Sequence, residues 1–162
     1  MVTALHYLHV LLAFTWFGAV FAENWNGFRA RRAKDWATRS VLYDVIRGLS
    51  AMVALPALLA VGIVGNVFAM QMGYRMGHTP MLMVVDALWL VLLAVTLAME
   101  MPASGALGAL AHAAADAATR GEYGEPAGWD RELTRWRTAN AVQMLVYAVM
   151  LALMIVPWGV VR

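Results

Sequence analysis

Four stretches of this chain are apolar for long enough to cross the hydrocarbon core of a bilayer, which takes about 20 helical residues. They cover roughly 3–22, 41–68, 81–99 and 138–161. In lipid a backbone has no water to bond to, so such segments must satisfy their own amides, and a helix does so internally. Composition agrees: 62% of the 162 residues are hydrophobic and 14% charged, against about 25% charged in a soluble domain. The expected fold is all-α, a single membrane domain (1–162) built as a bundle of four transmembrane helices. The absence of cysteine excludes disulfides, thiolate-held zinc, iron–sulfur clusters and thiol catalysis.

Orientation follows from the basic residues. The loop at 24–40 carries Arg29, Arg31, Arg32, Lys34 and Arg39, with Arg47 just inside the second span. The connection at 103–137 carries Arg120, Arg131, Arg135 and Arg137, which leaves Arg75 and Arg162 for the other side. The positive-inside rule makes the first group cytoplasmic, so both termini face outward. A multi-pass protein of a bacterial inner membrane is expected. Tyr7, Tyr43, Tyr74, Trp136 and Trp158 fall near the span boundaries, where amphipathic rings favour the interface. Val20-Phe21-Ala22 imitates a signal-peptidase site, but no basic region precedes it and a basic loop follows. The first segment is therefore expected to remain as a span.

Pro102 is expected to end the third span, because proline disrupts a continuing helix. The Ala-rich stretch 103–119 then forms a further helix on the cytoplasmic side. Gly121, Gly124, Pro126 and Gly128 mark a loop. His112 and Asp116, four apart, share a face and form a candidate ligand pair, although a solvated helix explains them more simply. No internal repeat is evident.

Polar residues inside the spans call for partners, because hydrocarbon penalises them. His6, His9, Ala13, Trp16, Val20 and Glu23 fall on one stripe of the first span. Asp86, Trp89, Leu93, Thr96 and Glu100 do so in the third, and Asn140, Gln143, Tyr147 and Met154 in the fourth. The second span offers Asp44, Arg47, Asn66 and Gln71, with Gly48, Gly62 and Gly65 expected to permit close helix approach. These faces imply a bundle interior holding a hydrogen-bonded network or a ligand. For Asn66, Asn140 and Gln143, links between helices are the simpler reading. Asp44 and Arg47, three apart, are expected to form a local ion pair.

The outward end gathers the residue types that bind metals: His6, His9 and His78, with Met70, Met72, Met76, Met81 and Met83, and Asp86 close by. Imidazole suits haem iron, copper or zinc, and a thioether suits haem iron or copper(I). Two histidines on one helix face cannot take both sides of a haem, so the sixth ligand would come from another helix, the outer turn or a partner chain, with His78 or one of the methionines as candidates. Arg75 would then pair with a propionate. The competing reading is methionine as membrane filler and histidine bonded to a carbonyl.

The first span, Leu5-His6-Tyr7-Leu8-His9-Val10 through Trp16-Phe17-Gly18, resembles the membrane-embedded protoporphyrinogen IX oxidase of the HemJ type. It is also similar to the copper-resistance CopD type and to the membrane part of the urate oxidase with a cytochrome tail. Arg135-Trp136-Arg137-Thr138-Ala139-Asn140, leading into the fourth span, adds to the likeness. The resemblance implies a haem-associated histidine at His9. The HemJ-type oxidase has an important lysine in its third span, and residues 81–99 contain none.

No P-loop glycine pattern, zinc-protease helix motif or serine triad arrangement is present. The short basic loop is explained by anionic headgroups rather than nucleic acid. Three functions follow. The first is a haem b protein in electron transfer or an oxidoreductase component, with His9 or His6 as axial ligand. The second is copper handling by the histidines and the methionine run. The third is an accessory subunit that meets other membrane subunits, or copies of itself, through its polar faces. A proton-conducting role for Asp86 and Glu100 is a further possibility.

Overall fold

The computed structural model describes residues 2–75 and 78–155, so Met76, Trp158 and Arg162 lie outside the described residues. It is helical throughout its ordered elements: α1 (Val2–Arg32), α2 (Trp36–Leu49), α3 (Leu55–Gln71), α4 (Pro80–Val95), α5 (Met101–Thr119) and α6 (Trp129–Ile155). Two π-helical turns, Ser50–Ala54 and Thr96–Glu100, weld α2 to α3 and α4 to α5. The result is four continuous helices long and apolar enough to cross a membrane: Val2–Arg32, Trp36–Gln71, Pro80–Thr119 and Trp129–Met154. No strand occurs among the described residues.

The expectation that Pro102 ends the third span is corrected here, and the reason is local. A proline ring collides with the carbonyl four residues back and offers no N–H to it. Both spans widen just before their proline. The Leu55 N–H reaches back five residues to the Ser50 carbonyl ahead of Pro56. The Met101 N–H does the same to Thr96 ahead of Pro102. A π turn moves the obstructing carbonyl aside while the helix continues. Ala98, four before Pro102, has its carbonyl capped by the Arg135 guanidinium from α6. The two turns share a pattern, a hydroxyl residue six before a Pro-Ala pair (Ser50 and Thr96). This is a short internal similarity where none was expected.

Ordinary signals set the other ends. Asp35 caps α2 from extended backbone, accepting the Thr38 N–H at 2.7 Å, which satisfies an orphan amide of the first turn. That hydrogen bond holds the Asp35 carboxyl below its usual range. At the far end of α5, Gly121 takes φ +80°, the left-handed conformation that lets a chain leave a helix without a Cβ clash.

The bundle has two apolar layers. At the basic end Tyr43, Ile46, Leu107, Trp129 and Trp136 pack with Ala103 and Ala111, the small side chains of α5 letting it lie close to α2. Nearer the middle, Trp16, Val20, Leu58, Leu92 and Val146 form the second layer. Tyr43 and Trp136 are thus core residues rather than interfacial ones. Their rings meet edge to face at 6.3 Å, and α5 covers the surface they would otherwise present. Tyr7 and Tyr74 are exposed, as expected of boundary residues. Gly62 and Gly65 do admit close neighbours, the Trp89 and His9 rings, and Gly27 admits Trp136; Gly48 has nothing within 4 Å.

A Cβ at Gly27 would meet the Trp136 ring at 2.3 Å, whereas one at Gly18 meets nothing within 4 Å. Gly27→Ala is expected to destabilise the bundle by about 1–3 kcal/mol, the usual cost of overpacking. Gly18→Ala should leave the thermal midpoint in detergent unchanged, and unfolding curves of the two variants check this.

Candidate functional site

Each polar stripe meets its counterpart across the bundle. Asn66 of α3 donates to Asp86 Oδ1 of α4 at 3.0 Å. Gln143 of α6 donates to Thr96 Oγ1 at 2.9 Å, and Asn24 of α1 donates to Asn140 Oδ1 at 2.8 Å. The linking role expected for Asn66, Asn140 and Gln143 is what the side chains perform. Met154 is exposed and leaves the α6 stripe.

The ion pair expected between Asp44 and Arg47 is replaced by another. Asp44 Oδ2 lies 2.9 Å from His112 Nε2 on α5, so neighbouring helices are bridged instead of one helix turn. This also takes His112 away from Asp116.

The outward residues are dispersed. His9 is half-buried, its Nδ1 3.1 Å from the Val61 carbonyl and its ring against Gly65. His6 is exposed one turn further out, edge-on to Phe68 at a centroid distance of 5.2 Å. Arg75 and His78 are exposed in the loop before α4, as are Met70, Met72 and Met83 on the flanking segments, and Met81 is half-buried. Among the described residues no three His, Asp or Glu side chains gather as a metal group would require. For a haem, the donor chemistry fits at one position. With Nδ1 donating to Val61, the His9 Nε2 carries the free lone pair, and such a second-shell bond fixes the orientation of a ligating imidazole.

The most enclosed polar group lies elsewhere. Glu23 of α1 and Glu100 at the end of the second π turn are each 1% exposed, and Ser50, opening the first π turn, is 0% exposed. The Ser50 Oγ lies 3.0 Å from Glu23 Oε1, 2.8 Å from Glu100 Oε1 and 3.0 Å from the Ile46 carbonyl. Three elements thus converge on one hydroxyl. Ser104 adjoins Glu100 from α5. The Trp136 indole also faces Glu100, although its Nε1 is buried outside regular hydrogen-bond geometry. No Lys, Arg or His forms an ion pair with either carboxyl among the described residues. A cavity of about 370 Å³, lined by Arg47, Ser50, Met101, Pro102, Ser104 and Gly105, reaches this group from the α2–α5 side.

Glu100 was legible as a polar residue on a buried stripe, and Glu23 as the end of another. Ser50 was not singled out. Its signal was the hydroxyl six residues before a proline, shared with Thr96.

No family model, curated protein or solved structure matches the chain.

Ser50→Ala removes the hydroxyl that both carboxyls contact. It is expected to cost about 1–3 kcal/mol, the price of buried polar groups left unpaired. Ser40→Ala should cost less, since the Ser40 hydroxyl bonds only the Ala37 carbonyl. Equilibrium unfolding of both variants in the same detergent checks the ranking.

Proposed function

We propose that this chain is a proton-linked membrane protein, in which the Glu23–Ser50–Glu100 group takes up and releases a proton within the bundle. The observation that supports it is a count of hydrogens. Ser50 has one hydroxyl hydrogen, yet its oxygen stands within 3.0 Å of three acceptor oxygens, two of them carboxyl. If both carboxyls were ionised, at least one of them would face the serine oxygen with no hydrogen between them. A proton on one carboxyl gives both carboxyl contacts a hydrogen, that glutamic acid donating to Ser50 and Ser50 to the other carboxyl; a second proton would free the hydroxyl to donate to the Ile46 carbonyl instead. Almost wholly buried, and with no cation paired to them among the described residues, two carboxylate charges would also repel and be poorly solvated.

Such a group suits transport coupled to protons, or the protonation step of a redox reaction in a larger membrane assembly. The cavity beside Ser50 and Ser104 supplies the polar approach from the basic end, the side that the positive-inside rule would make cytoplasmic in the bacterial inner membrane we propose for the chain. Other membrane subunits, or further copies of the chain, belong to the same proposal. A sealed proton site has an effect only when something else moves with it.

Infrared difference spectroscopy of the purified protein at neutral pH tests the reading. A protonated-carboxyl C=O band is expected in wild type, shifted in heavy water and lost or displaced in Glu23→Gln and Glu100→Gln. A spectrum with no such band assignable to either residue would overturn it.

A second reading, haem b bound through His9, is supported by the Nδ1 contact to the Val61 carbonyl. When bound, haem would supply one-electron chemistry, and His9 would hold it with the ring fixed by that hydrogen bond. A b-type α-band in the reduced-minus-oxidised visible spectrum, with stoichiometric iron, is the expected result for this reading. A colourless, iron-free preparation, or full haem occupancy in His9→Ala, would remove it.

A further inference from the structure

A second cavity, of about 410 Å³, opens between α1 and α6 at the basic end. It shares only its Trp136 wall with the surroundings of the carboxyl group. Arg31, from the last turn of α1, and Arg137, in the third turn of α6, both line it. No Asp or Glu is among its lining residues, and neither arginine forms an ion pair among the described residues. Two arginines lining one space give it positive charge, and the planar forks of their guanidinium groups match phosphate oxygens.

Depth along the cavity identifies the anion further. α6 descends from Arg137 to Met144, seven residues or about 10 Å at the helical rise, while on α1 Asn24, bonded to Asn140, lies part-way down that descent and Arg31 stands seven residues above it. The wall changes chemistry over that distance. Cations stand at the mouth, the Thr138 hydroxyl and the amides of Asn24 and Asn140 lie below them, and Ala141 and Met144 close the apolar end. This is the sequence of a phospholipid read inward: phosphate, glycerol ester, acyl chain. A free phosphate ion would need the mouth and leave the amide and apolar levels unused. Trp136, 3% exposed, forms part of the same wall.

We propose that the α1–α6 cavity is a binding site for one anionic phospholipid, its phosphodiester held by Arg31 and Arg137. The site faces the leaflet on the basic side, where anionic headgroups and basic residues meet. A lipid lodged there would brace α1 against α6 beside the Asn24–Asn140 bond.

Native mass spectrometry of the full chain, titrated with phosphatidylglycerol or phosphatidylcholine, tests the site. Wild type is expected to retain one phosphatidylglycerol saturably and to prefer it to phosphatidylcholine. Arg31→Gln/Arg137→Gln should weaken that binding by about tenfold or more. Arg29→Gln/Lys34→Gln removes the same charge from residues outside the cavity and should leave the binding unchanged. Equal loss in the two double variants would reduce the effect to general surface electrostatics and overturn the proposal. Displacement of the lipid by millimolar inorganic phosphate would overturn it as well, by assigning the cavity to a free anion. Matching unfolding midpoints of the variants in lipid-free detergent exclude misfolding as the cause.

Discussion

A proline in a transmembrane helix leaves one carbonyl without its donor, and a bilayer has no water to make good the loss. This chain meets the difficulty twice, at Pro56 and Pro102, and meets it the same way. The helix widens by one residue and continues. At Pro102 the exposed carbonyl is that of Ala98, and it is closed by Arg135 of α6. Much of the polar interior depends on these two turns. Ser50 opens one, while Thr96 opens the other and Glu100 closes it. A π turn shifts the residues after it around the helix axis. Stripes that a uniform 3.6-residue period would set apart are thereby brought to face one another.

That dependence explains which features were legible in the sequence. The four spans, their polar stripes and the linking amides follow from hydropathy and helical period alone. Bilayer thickness and backbone satisfaction act on every residue of a span alike. The meeting point of the stripes was not legible. A period shows that Glu100 lies on a polar face, but not that a serine from another span reaches it. A lone serine in an apolar helix ordinarily bonds its own i−4 carbonyl, and the Ser50 hydroxyl does stand 3.0 Å from that of Ile46, so nothing local marks the additional role. Pro102 was misread for a related reason. The rule that proline ends a helix holds where the chain has somewhere else to go, and in a bundle the lowest-cost response is to bulge and continue.

The basic end was misread through competition among neighbours. Tyr43 and Trp136 stand where interfacial aromatics stand, and sequence alone assigns them to the headgroup region. The Ala-rich face of α5 settles the matter by covering them. Asp44 has a cation three residues away in Arg47 and a histidine sixty-eight residues away in His112, and the distant partner is the one it meets. Local spacing gives Arg47 the opportunity. The packing of α2 against α5 gives His112 the contact, and Arg47 is left to line the cavity beside Ser50.

The order of the layers bears on how a buried proton could move. Going outward along α1, Glu23 is followed by Val20 and Trp16, and only then by His9. Along the second span, Ser50 is followed by Leu58 and only then by Asn66. Trp16, Val20, Leu58, Leu92 and Val146 form one contiguous apolar layer, and it stands between the carboxyl group and the Asn66–Asp86 pair. Outward of Glu100 come the Thr96 hydroxyl, bonded by Gln143, and Tyr147 packed against the layer, and a proton leaving the group outward would have to cross the layer with no carboxyl in it. Toward the basic end it meets Ser50, Ser104 and a cavity with Arg47 in its wall. The carboxyl group thus has a polar-lined cavity toward the basic side and the apolar layer on the other. Passage through the whole bundle would require the middle layer to part. The two π turns, where the backbone ladders are already loosened, flank that layer in the second and third spans and are the natural points for it to do so.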